Sequence, residues 1–181
     1  MPRVAVIGGG WAGCAAALAA KRAGAEVILL ERTDCLLGTG LVGGIVRNNG
    51  RFTAAEEMIA MGGGELFQLI DRLARHTGVD FPGHRHASLY DVALMEPAVR
   101  HYLLEQGVEL WMMARAHSVR LTGSRLDAVV LATGECVEAD VFVEATGTAG
   151  PQGNCTKYGN GCAMCVLRCP SWGGRVSIAA R

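Results

Sequence analysis

The sequence predicts an α/β fold in which helices wind through a parallel sheet, with a small antiparallel β-meander attached. Three observations predict it. Arg3–Ile7 and Glu26–Leu30 are short apolar runs of strand type, and Trp11–Ala23 between them is an Ala-rich helical segment. Gly8, Gly10 and Gly13 stand in the spacing G-x-G-x-x-G where the first strand gives way to that helix. Further on, His117–Thr122 and Arg125–Ala132 are strand-like runs joined by Gly123-Ser124, and Asp140–Glu144 returns as an apolar strand. Strand, glycine turn, helix and strand make a Rossmann-like unit, and the paired runs make a hairpin.

Each glycine of the motif has its own task. Gly8 takes the tight turn that leaves the strand. Gly10 lacks a Cβ, so a pyrophosphate can approach the backbone, and Gly13 lets the helix pack closely on the sheet. The unpaired N–H groups at the helix start, with the positive end of its dipole, suit phosphates. Glu31 closes the second strand and can accept hydrogen bonds from ribose hydroxyls. Its carboxylate repels a 2′-phosphate, which disfavours NADP and leaves FAD and NAD open. Arg32 can reach such a phosphate, but as the neighbour of Glu31 it is expected to face solvent.

The bulk numbers narrow the class. The chain has 181 residues with 17 Lys and Arg against 17 Asp and Glu, so its formal net charge is zero. A broad basic footprint for nucleic acid is therefore not expected. No apolar run reaches the ~20 residues of a membrane span, and the start has no signal-peptide layout. A cytoplasmic protein is expected, and in that compartment the 7 cysteines do not read as a disulfide framework.

The elements between follow local signals. Residues 32–51 are Gly-rich and aperiodic, and read as a long loop; such loops are often functional. Cys35 in it is a redox thiol only if the loop lies over the cofactor. Thr53–Met61 reads as a helix opened by a Thr53/Glu56 capping box. Glu65–His76 reads as an amphipathic helix with Leu66, Leu69, Ile70 and Leu73 on one face, ended by Gly78. Val79–Tyr90 reads as loop or edge strand; His84 and His86 there lack companion ligands at metal spacing and read as solvated or substrate-facing. Asp91–Gln106 is a fourth helix, capped by Asp91 and closed by Gly107, which either starts near Pro97 or kinks there. Val108–Met113 and Glu135–Val137 complete the strands.

At this point the chain resembles the FAD-dependent oxidoreductases of the glutathione-reductase type. The resemblance rests on Gly8-x-Gly10-x-x-Gly13 with Glu31, on the helix, strand and hairpin run from Leu103 to Gly147, and on Ala145-Thr146-Gly147 directly after the last strand. The opening segment is also similar to the glucose-inhibited division protein A family, flavoproteins that modify tRNA; that likeness is visible as far as Glu31. The resemblance covers about residues 3–150 and implies FAD as cofactor. It implies that Gly8, Gly10 and Gly13 hold the pyrophosphate, that Glu31 binds the ribose of the adenosine half, that Thr146 and Gly147 lie near the dinucleotide, and that Val119 or a neighbour meets adenine through its backbone; Arg32 is a further candidate cofactor-binding residue. Residues 1–150 are then an FAD-binding domain. Family members carry a later Gly-Asp box and a substrate domain that are missing here, so the fold is expected to be incomplete C-terminally. Residues 151–181 are then a Cys-rich segment opening the missing part, or the chain is one subunit completed by a second.

Four cysteines crowd this segment as Cys155-x6-Cys162-x2-Cys165-x3-Cys169-Pro170. The end, C-x-x-C-x-x-x-C-P, matches the close of the bacterial ferredoxin run, so a [4Fe–4S] cluster on Cys155, Cys162, Cys165 and Cys169 is one reading. A redox dithiol at Cys162 and Cys165 is another, and a closed Cys₄ zinc site or plain buried thiols are two more.

The function expected is flavin-mediated hydride or electron transfer to or from a small molecule or an electron carrier. No side chain is a convincing general acid or base; any directly reacting protein groups would be Cys162 and Cys165. A tRNA-modification flavoprotein and a non-catalytic dinucleotide-binding or electron-transfer subunit are the alternatives.

Overall fold

The computed structural model describes residues 1–42, 54–82, 84–147 and 178. Strand β1 is Arg3–Ile7, helix α1 Trp11–Arg22 and strand β2 Glu26–Leu30. Helices α2 (Thr39–Val42), α3 (Ala54–Ala60) and α4 (Glu65–Asp71) follow, then strands β3 (Ala74–Phe81) and β4 (His84–Tyr90) and helix α5 (Val92–Glu105). Strands β5 (Glu109–Trp111), β6 (Ala116–Thr122), β7 (Arg125–Leu131), β8 (Cys136–Glu138) and β9 (Val141–Glu144) end the described run.

The central sheet has the order β5-β2-β1-β9, with every pair parallel. Its two central strands are buried on both faces, which is why they read as unbroken apolar runs rather than alternating ones. Successive side chains of a strand point to opposite faces, and the core divides accordingly. Val4, Val6, Val27 and Leu29 meet Cys14, Ala17 and Leu18 of α1, Leu66 and Ile70 of α4, and Met95, Val99 and Leu103 of α5. Ala5, Ile7, Ile28 and Leu30 meet Val129, Leu131 and Val137 of a second sheet, β6-β7-β8, which is antiparallel. The three layers are therefore helices, parallel sheet and meander, as the sequence predicts.

Two helices end alike. After α1, Gly24 (φ 81°) donates to Lys21 O and Ala25 to Ala20 O. After α5, Gly107 (φ 75°) donates to Leu104 O and Val108 to Leu103 O. Both are Schellman motifs, in which a left-handed glycine lets the chain reverse and satisfies the last carbonyls. Each delivers the chain directly into a strand of the parallel sheet. At its start α5 is capped by Asp91, whose Oδ1 accepts from Ala93 N at 3.1 Å.

One expectation needs correction and two open alternatives are resolved. The helix from Glu65 stops at Asp71 instead of reaching His76, and the chain enters β3 at Ala74. The leucine periodicity is real as far as Ile70. Beyond it, antiparallel pairing of Ala74 with Tyr90 and of Val79 with Ala87 takes over, a non-local contact that local periodicity cannot register. Gly78 (φ 66°) accordingly sits inside an irregular strand and ends no helix. Of the two alternatives for Val79–Tyr90, loop or edge strand, the strand holds: the segment contains the end of β3 and its return strand β4, both edges of a two-stranded sheet. Finally, α5 begins at Val92 and runs through Pro97. Proline there forfeits one backbone bond, while Met95, Val99 and Leu103 bury the face that holds the helix in place.

Candidate functional site

The carboxyl ends of β1, β2 and β9 come together, which is where parallel α/β sheets bind ligands. Gly8 leaves β1 with φ 104°, a conformation that favours glycine. A Cβ on Gly8 would lie 2.6 Å from Ala145 O and 3.0 Å from Thr146 Cα, so the turn presses against the end of β9. A Cβ on Gly13 would lie 1.8 Å from Gly8 O. Here the helix crosses the strand end at a separation only glycine permits. Gly10 is different: its backbone is extended (φ −69°, ψ −177°), and a Cβ there would meet nothing within 4 Å. Gly8 thus takes the turn and Gly13 the close helix packing that the sequence predicts, and Gly10 faces open space.

Gly10 is also the N-cap of α1. No side chain caps that end, and no acidic residue stands in the first turn. The first N–H groups of the helix are left without a capping acceptor, so the end is electropositive.

Glu31 lies beneath the turn, only 6% exposed. Its Oε2 accepts from Gly9 N at 2.7 Å, and its Oε1 accepts from both Thr33 N and Thr33 Oγ1 at 2.8 Å. The carboxylate therefore braces the protein itself, a role the sequence reading did not assign. A carboxylate oxygen has two lone-pair positions, and among the described residues Gly9 N donates to Oε2. Arg32 is exposed, as expected for the residue after it.

The loop after Glu31 folds back on the glycines. Leu37 N donates to Gly9 O at 2.8 Å, and Leu37 bridges Gly10 in parallel fashion. Leu37 has φ 68°, which a branched side chain rarely adopts. Its neighbour Gly38 approaches so closely that a Cβ there would be 3.3 Å from Gly10 Cα. The loop is gripped from α5: Glu96 Oε1 accepts from Leu36 N at 3.1 Å and from Arg100 Nε at 2.9 Å, and Arg100 also donates to Asp34 O at 2.6 Å. Sequence reasoning missed Gly9, Thr33, Glu96 and Arg100. For Glu96 a signal existed: it stands beside Met95 and one turn from Val99, on the apolar stripe of an amphipathic helix.

The remaining predicted residues sit around this centre. Thr146 Oγ1 donates to Glu144 Oε1 at 3.1 Å, and Gly147 has φ 63°. Ile178 N donates to the other oxygen of Glu144 at 3.0 Å. Val119 lies on β6 and packs toward the meander core. Cys14 is fully buried; its Sγ contacts Gly9 O at 3.3 Å, and burial pushes its thiol up to about 12. Cys35 is half-buried, with Sγ 3.8 Å from Thr33 Oγ1. Cys155, Cys162, Cys165 and Cys169 lie outside the described residues. Among the described residues, no group of three or more His, Cys, Asp or Glu is arranged to hold a metal ion.

Residues 3–150 match the family described as FAD dependent oxidoreductase. The chain belongs to this family. It is also 32% identical, over 162 residues, to the tRNA uridine 5-carboxymethylaminomethyl modification enzyme MnmG of Endomicrobium trichonymphae. That match takes in 80% of this chain but 25% of the relative, so the chain spans about a quarter of that protein's length. The similarity to the glucose-inhibited division protein A family thus continues well past Glu31. Glycine oxidase from Bacillus cereus shares the fold with a TM-score of 0.58 at 13% identity, over 82% of this chain and 56% of that one. The tetrameric form of 2-methyl-3-hydroxypyridine-5-carboxylic acid oxygenase does so with a TM-score of 0.55 at 21% identity, over 82% and 40%. Among the described residues, no helix is long and apolar enough to cross a membrane.

Proposed function

We propose that this chain is the part of an FAD-dependent oxidoreductase that holds the adenosine-diphosphate half of FAD. The observation that carries the reading is the contrast among the glycines. Gly8 and Gly13 are packed against backbone, while Gly10 opens onto free space at an uncapped helix N-terminus. Gly10 and the first turn of α1 would receive the pyrophosphate. Glu31 Oε2 would offer its second position to a ribose hydroxyl, and the adjoining Arg32 would stay in solvent. Thr146 and Gly147, at the end of β9, would flank the dinucleotide, and the backbone near Val119 would meet adenine. FAD supplies hydride or electron chemistry when bound; these residues bind and orient it.

The test is a titration of the full chain with FAD and separately with ADP, followed by flavin fluorescence and calorimetry. Saturable binding of FAD, with ADP as competitor, is expected. NADP should compete poorly, because the Glu31 carboxylate repels a 2′-phosphate. Failure of both FAD and ADP to bind overturns the reading.

The likeness to MnmG supports a second reading, in which the chain belongs to a flavoprotein that modifies tRNA. Its zero net charge weighs against a broad phosphate footprint. Retardation of tRNA by the chain in a native gel, lost at higher salt, would favour this reading over a small-molecule or electron-carrier substrate. A third reading is a non-catalytic subunit completed by a second chain; gel filtration with a candidate partner tests it.

The spacing of Cys155, Cys162, Cys165 and Cys169 supports a Cys-ligated redox centre, as a [4Fe–4S] cluster or as a Cys162–Cys165 dithiol. A visible spectrum of protein purified without air separates the two. A broad shoulder near ~400 nm that bleaches on reduction belongs to the cluster.

A further inference from the structure

We infer that Glu96 and Arg100 are positioning residues for the dinucleotide site, acting through the loop that follows β2. The inference rests on the dinucleotide-binding reading above and adds to it a control point on another element.

Glu96 is a carboxylate on the buried stripe of α5, only 9% exposed. A buried charge is costly unless it is paired and its lone pairs are used. Glu96 is paired, and the manner is informative: the bonds from Arg100 and Leu36 converge on Oε1. Arg100, one turn on, gives Glu96 Oε1 two of its nitrogens. The same guanidinium then donates to Asp34 O at 2.6 Å, while Leu36 N donates to Glu96 Oε1 at 3.1 Å. The pair thus holds one loop carbonyl and one loop N–H two residues apart. An ion pair that only tied α5 to itself would need neither.

The residue after this grip is Leu37, fully buried at φ 68°. A left-handed leucine persists where its surroundings over-determine it. On one side is the Glu96–Arg100 grip, and on the other is the bond from Leu37 N to Gly9 O at 2.8 Å. The turn so fixed brings Gly38 against Gly10 Cα, beside the open space in front of the helix. The height of that turn therefore sets how much room the backbone at Gly10 offers a pyrophosphate. If the grip is released, the bound geometry must be selected from several loop conformations, which lowers apparent affinity by the fraction of competent molecules.

The experiment compares FAD dissociation constants and amide hydrogen exchange for the full chain and four variants. Glu96→Ala removes the acceptor, and Arg100→Met releases Asp34 O even if the first variant folds poorly. Glu96→Gln keeps an acceptor for Leu36 N and serves as the conservative rescue. Leu103→Ala removes packing from the same helix without touching the loop. Glu96→Ala and Arg100→Met should each weaken FAD binding by about tenfold or more, the scale of one lost charged hydrogen bond. Exchange at Leu36 and Leu37 should become faster in both. Glu96→Gln should recover most of the affinity. Leu103→Ala should lower the melting temperature yet leave the FAD constant within about twofold of the parent. Wild-type affinity in both Glu96→Ala and Arg100→Met overturns the inference alone, as does an equal loss in Leu103→Ala. A parent chain that binds neither FAD nor ADP overturns the dinucleotide reading and this inference together.

Discussion

Glu31 Oε2 lies 2.7 Å from the peptide nitrogen of Gly9, tying the end of the second strand to the middle of the glycine turn. With Thr33 N and Thr33 Oγ1 on the other oxygen, one buried carboxylate satisfies three donors from two segments. The residue that the motif offers to a ribose is thus also the brace that gives the turn its shape.

Glu31→Ala should therefore cost stability in the absence of any ligand. Gly9 N and Thr33 N lose a charged acceptor, while Thr33 Oγ1 keeps Cys35 O, and a loss of about 3 kcal/mol is expected. Glu31→Gln keeps one acceptor oxygen and should cost about half as much, with Thr33 or Gly9 left unpaired. Urea denaturation of the ligand-free protein measures both. An alanine variant as stable as the parent would reduce the Gly9–Glu31 contact to an incidental one.

Gly10→Ala and Gly13→Ala should fail in opposite ways. At Gly10 the backbone is extended and the new methyl meets nothing within 4 Å, so the variant should fold with near-parental stability. The methyl would occupy the space in front of the helix, and FAD binding should fall by at least about tenfold. At Gly13 the methyl would lie 1.8 Å from Gly8 O, so α1 must move off the sheet and the fold should weaken by about 3 kcal/mol. Far-ultraviolet circular dichroism on heating, with FAD titration beside it, separates a lost site from a lost fold. Equal melting temperatures for the two variants would contradict the packing argument.

Asp91 caps α5 and pairs with Arg75, whose guanidinium lies 2.9 Å away and holds the Asp91 carboxyl below its ordinary value of 3.8. A carboxyl lowered on folding stabilises the protein above its unfolded value, and that contribution is lost as pH falls through the lowered folded value. Asp91→Asn keeps a good cap but drops the ion pair, so its stability should change less between neutral pH and pH ~3 than the parent's does. Melting curves across that range decide it; identical acid limbs would remove Asp91 from the account.

The parts legible in the sequence are those whose causes are local. Gly8, Gly10 and Gly13 announce their roles because a turn, a close approach and a helix start are set within a few residues. Gly24 and Gly107 end helices for the same reason. The start of β3 at Ala74 and its pairing with β4 are not legible, because the pairing of Ala74 with Tyr90 lies outside any local window. Glu31 is legible as the carboxylate that closes the second strand, while nothing in its neighbourhood reveals Gly9 N above it. Glu96 was visible only as an anomaly, an acid on an apolar stripe, and its partners at Asp34 and Leu36 belong to a segment reached through tertiary folding. The left-handed conformation of Leu37 has no sequence signature.

Cys14 makes the last prediction, because burial has a pH signature. Its side chain is fully buried, with Sγ 3.3 Å from Gly9 O. Loss of hydration raises the thiol from an ordinary 9.0 to about 12, and the Glu31 and Glu96 carboxylates add to the rise. The folded state therefore keeps this proton over a range in which the unfolded chain releases it. Stability linked to Cys14 is complete below pH 9 and declines as pH rises toward about 12. The slope approaches about 1.4 kcal/mol per pH unit within that window. Cys14→Ala should flatten this alkaline limb while costing a modest amount at neutral pH, since a small cavity replaces the sulfur. Urea midpoints for parent and variant at pH 8 and pH 10.5 are the measurement. The same burial keeps the thiolate scarce, so Cys14 should resist iodoacetamide at pH 8 while exposed Cys136 is alkylated. Rapid modification of Cys14 in the native protein, or parallel pH profiles for parent and Cys14→Ala, would contradict a sealed thiol beneath the glycine turn.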